Sequence, residues 1–382
     1  MEKMMRRHWW KALGVGLVLY GIIAGMLLPL KPNIVEDDVL SANLNSIVTM
    51  NVVGYNTHFL GAGAGGMKVW LRAKPVPGSP EEFSIAATGI RVQDDRRATF
   101  TFDLPAYLPD TSLDKSNLSL VVQNPVDGFF VYKDAVAVRQ PNPAATVQQA
   151  RAPWLFSNIK KGQVTATPFV TFPFEILLQE TIRNTYFHVS LWFAMMFVFL
   201  AAVVYAIKHL SRSRRASLEA TDTISLRDKA DYWSVSFTSV GLLFGVLGLL
   251  TGALWAKYTW DSWWSWDPKQ TTTLIALLIY AGYFVLRSSF RDPEQRARIS
   301  ASYNVFAFAC LIPLIYILPR YIGNSLHPGV EGNPGLSSAD LDNTMRMVFY
   351  PIIIGWTLIG FWLATVTYRS RLLWERVVEE RG

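Results

Sequence analysis

The run Tyr232-WSVSFTSVGLLFGVLGLLTGALW-Ala256 holds no charged residue and is long enough to cross a bilayer as a helix. It leads straight into Lys257-YT-Trp260-DS-Trp263-Trp264-S-Trp266-Asp267, so the stretch from Trp255 to Asp267 carries five of the chain's fourteen tryptophans. Flat rings with one polar edge collect where a chain leaves the hydrocarbon. So many in one short loop exceed what an interfacial belt requires, and they form a platform for a flat hydrophobic ligand. Plain anchoring at the membrane surface is the alternative reading.

Five further apolar runs extend the pattern outward: Ala12–Leu30, Tyr186–Ile207, Thr271–Leu286, Ile299–Leu318 and Met347–Tyr368. The chain is 51% hydrophobic and only 17% charged, and it reads as an α-helical polytopic membrane protein with six transmembrane helices. Thr271–Leu286 is short, a mismatch that flanking residues can cover. Ala12–Leu30 follows the basic start MEKMMRRHWWK as a signal peptide would. Its apolar core is too long and no small-residue cleavage site follows, so it reads as a retained anchor.

Lys and Arg concentrate at the N-terminus, in the loops 208–231 and 287–298, and in the tail, all on one side of the predicted helices. The positive-inside rule makes that side cytoplasmic, with both termini inside. The net charge of +7 is thus a topology signal spread over separate loops, which excludes a nucleic-acid-binding face.

Between the first two helices the character changes. SIVTMNVVGY, KVWLRA, FSIAATGIRV, ATFTFDL, LSLVVQ and FFVYKDAVAV alternate polar and apolar residues, with turn signals at Gly61–Gly66, PVPGSP and NPVDG. About seven short strands at this spacing predict an inserted all-β, immunoglobulin-like sandwich on the outer, periplasmic side. Polar or Pro-rich linkers are expected at Lys31–Asp38 and Gln140–Pro153. The resulting division is 1–30, cytoplasmic start and anchor; 31–180, β domain and linkers; 181–372, five-helix core with the Trp loop; and 373–382, cytoplasmic tail.

Cys310, the only cysteine, lies in a predicted membrane helix, so there is no disulfide, CxxC pair, zinc cluster or CxxCH attachment site. Of the five histidines, His8 and His209 fall on the cytoplasmic side and His58 in the β domain. His188 opens the second membrane helix and His327 follows the fifth, both at the level of the Trp loop. A lone histidine at a helix end is most often a capping or interfacial residue. Two at one depth, flanking a tryptophan platform, point instead to haem b held non-covalently, its iron taking an imidazole on each face. Its propionates want cations, for which Arg183, Lys257, Lys269, Arg320 and Arg346 are candidates.

WDSWWSWDPKQTT, preceded by TGALWAK, resembles the tryptophan-rich WWD signature of the CcmC/CcsA family of haem-handling proteins in cytochrome c biogenesis. Arg183-NTYF-His188-V resembles the family's first histidine motif, and Asn324-Ser-Leu-His327-Pro-Gly329 its second. Six helices, with one histidine on each side of the signature, fit the CcmC branch. The resemblance covers about 180–372 well and does not cover 31–180. Ser190, Asp261 and Pro268-Lys269 stand where the family commonly has proline, glycine and Ala-Arg; Lys269 keeps the cation without the bidentate fork of arginine.

The resemblance implies transfer rather than catalysis. His188 and His327 would be the axial ligands, and Trp260, Trp263, Trp264 and Trp266, with Trp255 beside them, the platform. Arg183 and Lys269 would be the cations, and Asp267 the residue that fixes the loop or orients a neighbour, unless it only caps the next helix. Implied partners are haem, a periplasmic CcmE-like haem chaperone, the ABC transporter subunits of cytochrome c maturation, and membrane lipid. The β domain would be a docking module. Three rival readings stand beside this one: a CcsA-type synthase, a membrane transferase using Asp261 or Asp267 as general base, and a receptor anchored by its helices.

Overall fold

The computed structural model describes residues 2–39, 41–73, 84–106, 108, 115–140, 170–176, 178–212, 225–327 and 341–379. They form two compact units, one of Met1–Leu28 with Leu177–Gly382 and the other of Pro29–Ile176. Residues 141–153 of the expected linker, the PVPGSP turn, Pro328 and Gly329 lie outside the described residues.

The first unit is a helical bundle of α1 (Glu2–Leu27), α3 (Ser190–Ser211), α4 (Leu226–Trp260), α5 (Pro268–Ser288), α6 (Pro293–Ile312), α7 (Leu318–Ile322) and α8 (Asn343–Glu379). Six helical stretches are long and apolar enough to cross a membrane: His8–Leu27, Gln179–Ser211, Leu226–Trp260, Pro268–Ser288, Pro293–Ile322 and Asn343–Glu375. They coincide with the six predicted runs but are longer. The predicted Thr271–Leu286 gains a turn because Asp267 caps and Pro268 starts the helix, an arrangement repeated by Asp292 and Pro293 on α6. The anchor ends at Leu27, ahead of Pro29, and α8 runs on through the expected tail to Glu379. Pro313 introduces a π-helical turn, Pro313–Ile317, between α6 and α7.

Glycine decides how closely α4 packs. A Cβ on Gly241, Gly245, Gly248 or Gly252 would lie 2.4–2.8 Å from Phe199, Leu277, Trp192 or His188 respectively. The spacing places all four along one helix face, so large side chains of α3 and α5 lie directly against the α4 backbone.

The second unit has two sheets, ordered β1-β3-β7-β6 and β2-β9-β8-β4-β5. Their strands are β1 (Asn33–Asp37), β2 (Ser41–Asn43), β3 (Ile47–Tyr55), β4 (Lys68–Arg72), β5 (Ser84–Ala86), β6 (Gly89–Val92), β7 (Arg97–Asp103), β8 (Lys115–Asn124) and β9 (Gly128–Arg139). Alternation works as expected: Val48, Met50 and Val52 of β3, Phe100 and Phe102 of β7, and Leu118 and Leu120 of β8 all enter one shared core. All pairs are antiparallel except β2 with β9.

Three local expectations need correction. Lys31–Asp38 is not a linker, since β1 pairs with β3 within it. FSIAATGIRV is two strands that join different sheets, β5 beside β4 and β6 beside β7. Gly61–Gly66 is not a turn but part of α2 (Phe59–Gly66), broken at Gly63, whose φ of 63° suits glycine.

Candidate functional site

Where α4 ends and α5 begins, Leu178, His188, Gly252, Trp255, Ala256, Thr259, Trp260 and His327 line one small cavity. The two histidines that sequence placed at one depth therefore face the same space, from chain positions 139 residues apart.

His188 sits in the π-helical turn Thr185–Val189 that leads into α3. Its Nδ1 lies 3.1 Å from Thr251 Oγ1, and that hydroxyl donates to Leu247 O at 2.9 Å. With the hydroxyl hydrogen committed, the imidazole Nδ1–H is the donor, which leaves Nε2 with the lone pair. Nε2 accepts a long hydrogen bond, 3.3 Å, from the indole of Trp192. The ring meets Trp192 and Trp255 edge to face, at centroid distances of 6.0 and 5.7 Å. Gly252 makes room: a Cβ there would sit 2.6 Å from His188 Cε1.

His327 is held differently. Its Nδ1 is 2.8 Å from Asp267 Oδ1, and the same carboxylate accepts from Leu326 N at 2.6 Å, Ser325 Oγ at 3.0 Å and Lys269 N at 2.8 Å. Burial alone would raise the Asp267 pKa. The hydrogen bond and charge of His327, with the backbone N–H groups of Leu326 and Lys269, outweigh it and hold the carboxyl well below its ordinary range. Asp267 is therefore both the N-cap of α5 and the clamp on the second histidine. As at His188, the anchor on Nδ1 leaves Nε2 as the nitrogen with the lone pair. The ring of Trp260 packs on His327 at 4.9 Å.

The predicted tryptophans divide into two groups. Trp255 and Trp260 wall the cavity, and Trp255 Nε1 donates to Thr181 Oγ1 at 3.2 Å. Trp263 and Trp266 are exposed, 56% and 70%, and Trp264 lies edge-on to Trp266. The loop that carries them is bracketed by two left-handed residues, Asp261 (φ 55°) and Trp266 (φ 57°).

Of the predicted cations, Arg183 and Lys257 are engaged by other partners, whereas Lys269 lies within electrostatic reach of His188. Arg183 donates through Nη1 to the carbonyls of Gly25 and Leu28, at 2.8 and 2.7 Å, and through Nε to Glu180, so its guanidinium closes the C-terminal end of α1. Lys257 pairs with Asp261 at 2.6 Å and thereby lowers that carboxyl's pKa. Lys269 contributes its backbone N–H to Asp267. Among the described residues, no group of three His, Cys, Asp or Glu side chains could hold a bare metal ion.

Sequence reasoning missed Thr251, Gly252, Trp192 and Ser325. The glycine series 241, 245, 248, 252 was the available signal for the first three, since a small-residue face marks where a neighbouring helix carries its bulk.

The site defines the class: a multi-pass helical membrane protein in which two imidazoles, each fixed through Nδ1, and two indoles line one cavity. Residues 163–327 match the family model of the cytochrome C assembly protein, and the match contains both histidines and the Trp loop. Over these residues the chain is similar to the cytochrome c assembly family. The strands β1–β9 lie outside the matched residues. Heme exporter protein C of Paracoccus denitrificans is 26% identical over 227 residues, which are 58% of this chain and 85% of that protein. Heme exporter protein C of Haemophilus influenzae is 31% identical over 141 residues, 37% of this chain and 56% of that protein. The cytochrome c biogenesis protein CcsA of Prochlorococcus marinus is 38% identical over 105 residues, 28% of this chain and 32% of that protein.

Proposed function

We propose that this protein binds haem non-covalently between His188 and His327 at the outer face of the bacterial cytoplasmic membrane. It then delivers the haem to a periplasmic chaperone during c-type cytochrome maturation. The observation that carries this reading is that both imidazoles line one cavity with Nδ1 anchored and Nε2 left as the ligand nitrogen. Haem supplies the iron that takes both nitrogens; everything else is positioning by the chain.

His188 requires only that Trp192 release a long hydrogen bond, and His327 is held in orientation by the Asp267 carboxylate behind it. Trp255 and Trp260, which line the same cavity, would pack against the bound ring. The cleft is too small in this structure to enclose a porphyrin, so part of the ring would stay outside it. An exposed rim is what a handover requires, and Trp263 and Trp266 offer the partner an apolar surface there.

Haem as cargo in an exporter-C-type protein is favoured over a CcsA-type synthase by coverage: the chain spans 85% of the Paracoccus relative and 32% of the Prochlorococcus one. A transferase reading is disfavoured because Asp261 and Asp267, with lowered pKa values, are poor general bases near neutrality. The distribution of basic residues supports a cytoplasmic location for both termini. ABC transporter subunits of the maturation machinery are the expected further partners. The strand order with the parallel β2–β9 pair supports an immunoglobulin-type sandwich, which we assign as a docking module for an assembly protein.

The test is direct. Detergent-purified wild type should show the split absorption bands of six-coordinate haem. His188→Ala and His327→Ala should each strip or weaken the haem while the protein still inserts in the membrane. Wild-type haem content and spectrum in both variants would remove the axial assignment.

A further inference from the structure

The opposite end of the bundle holds a second cluster of charge that haem handling does not use. Arg227 and Asp231 lie in the first turns of α4, Arg287 at the end of α5, Glu294 and Arg296 at the start of α6, and Arg371 late in α8. Asp231 is neutralised by a bidentate bridge from Arg287, at 2.9 and 2.5 Å. Glu294 pairs with Arg227 at 3.2 Å. Asp228 and Glu375 lie at the same end, yet among the described residues Arg296 and Arg371 make no ion pair. Arg371 lies within electrostatic reach of both Arg287 and Arg296.

The guanidinium geometry sharpens the imbalance. The Nε groups of Arg227, Arg296 and Arg371 are buried and have no hydrogen-bond acceptor among the described residues. A buried N–H without an acceptor, on a cation beside other cations, costs several kcal/mol unless an anion supplies the missing oxygens. The cluster is formed by the ends of four helices at the depth where a bilayer presents its phosphates. A guanidinium fork matches a phosphate's oxygens.

We propose that Arg296 and Arg371, with the outer edge of Arg287 and the Nε of Arg227, form a binding site for a phosphate group, supplied by an anionic phospholipid of the surrounding leaflet. The same chemistry could be met by free phosphate, and the experiment separates the two sources. The lipid is favoured because the cluster lies at the ends of helices long and apolar enough to span a membrane, and because a headgroup is delivered there at high local concentration.

The full-length protein, purified in detergent and delipidated, is titrated with cardiolipin, phosphatidylglycerol, phosphatidylcholine or inorganic phosphate. Thermal midpoint and lipid adducts in native mass spectrometry are followed. The anionic lipids should raise the midpoint and remain as adducts, whereas phosphatidylcholine should do neither. Arg296→Gln with Arg371→Gln should weaken the anionic lipids about 30-fold, the effect of removing two basic residues at a charged membrane surface. Arg291→Gln, an exposed arginine of the same connection, should leave them unchanged. If the double variant does not survive extraction, Arg371→Lys alone should weaken the adduct, because it keeps the charge and loses the fork. Equal stabilisation by phosphatidylcholine, or unchanged lipid affinity in the variants, overturns the site. Full stabilisation by inorganic phosphate alone overturns the lipid as its source.

Discussion

The two histidines reach one cavity from unlike seats. His188 is carried by a helical turn and wedged between Trp192, Trp255 and the bare backbone at Gly252. His327 rides on a loop, and a single carboxylate gathers its ring, the backbone of Leu326 and the hydroxyl of Ser325. The first seat is made by packing and the second by charge. They should therefore fail for different reasons, and a pair of ligands so built can be weakened one at a time.

The largest effect should come from the charge-built seat. Asp267→Asn keeps a competent N-cap for α5 but removes the negative charge behind His327, so haem affinity should fall by about 10–100-fold, the usual cost of losing such a partner. Titration of the purified protein with haem measures it. In a His327→Ala background the same change should cost nothing more, because the two act as one unit; an additive loss would mean that Asp267 serves the site by another route.

The packing-built seat should answer to volume. Gly252→Ala puts a methyl 2.6 Å from the His188 ring and should destabilise the protein by about 1–3 kcal/mol, with a matching loss of haem. Gly16→Ala, which adds its methyl to open space, is the control and should leave the thermal midpoint unchanged. Equal behaviour of the two variants would break the comparison.

A smaller effect separates the seats by pH. The folded-state pKa of Asp267 is depressed below its ordinary 3.8. Its contribution is therefore complete above about 4 and is lost as pH falls through the lower folded value. Acid titration of the wild type should loosen the His327 side in that window, and Asp267→Asn should lack this phase. Ring signals of the two histidines, followed by NMR in labelled protein, distinguish the sides.

The smallest expected effect is none. Residues 32–180 expressed alone have their own core and should unfold cooperatively as a β protein without taking up haem, since His58 is occupied by Asp127 at 2.7 Å. An unfolded product, or haem uptake through His58, would show that the β domain depends on the bundle or shares its ligand.

The sequence displayed the ligands better than their supports. The histidines and the Trp loop stand out because few other roles explain such residues at one depth. Thr251 and Gly252 are unremarkable in an apolar helix until a ring is seen against them. Arg183 lies five residues before His188, as a propionate-binding cation would, but spacing along the chain carries no information about the α1 carbonyls that claim it. The left-handed backbone at Asp261 explains why related signatures favour glycine there, and here the Lys257 pair compensates. In the β domain, alternation identified the core strands and failed where it could not see partners. NIVED is polar enough to read as a tether, and nothing in FSIAATGIRV announces that its halves join different sheets.

Arg183 also has a mechanical meaning. Its guanidinium grips the last carbonyls of α1, Tyr186 lies against Gly25 of that helix, and His188 follows within the same turn. The point where the chain leaves the anchor helix is thus riveted to the segment that aims the first imidazole. A tug on Leu28 from outside the membrane would be felt at the ring as a lever arm only a few residues long.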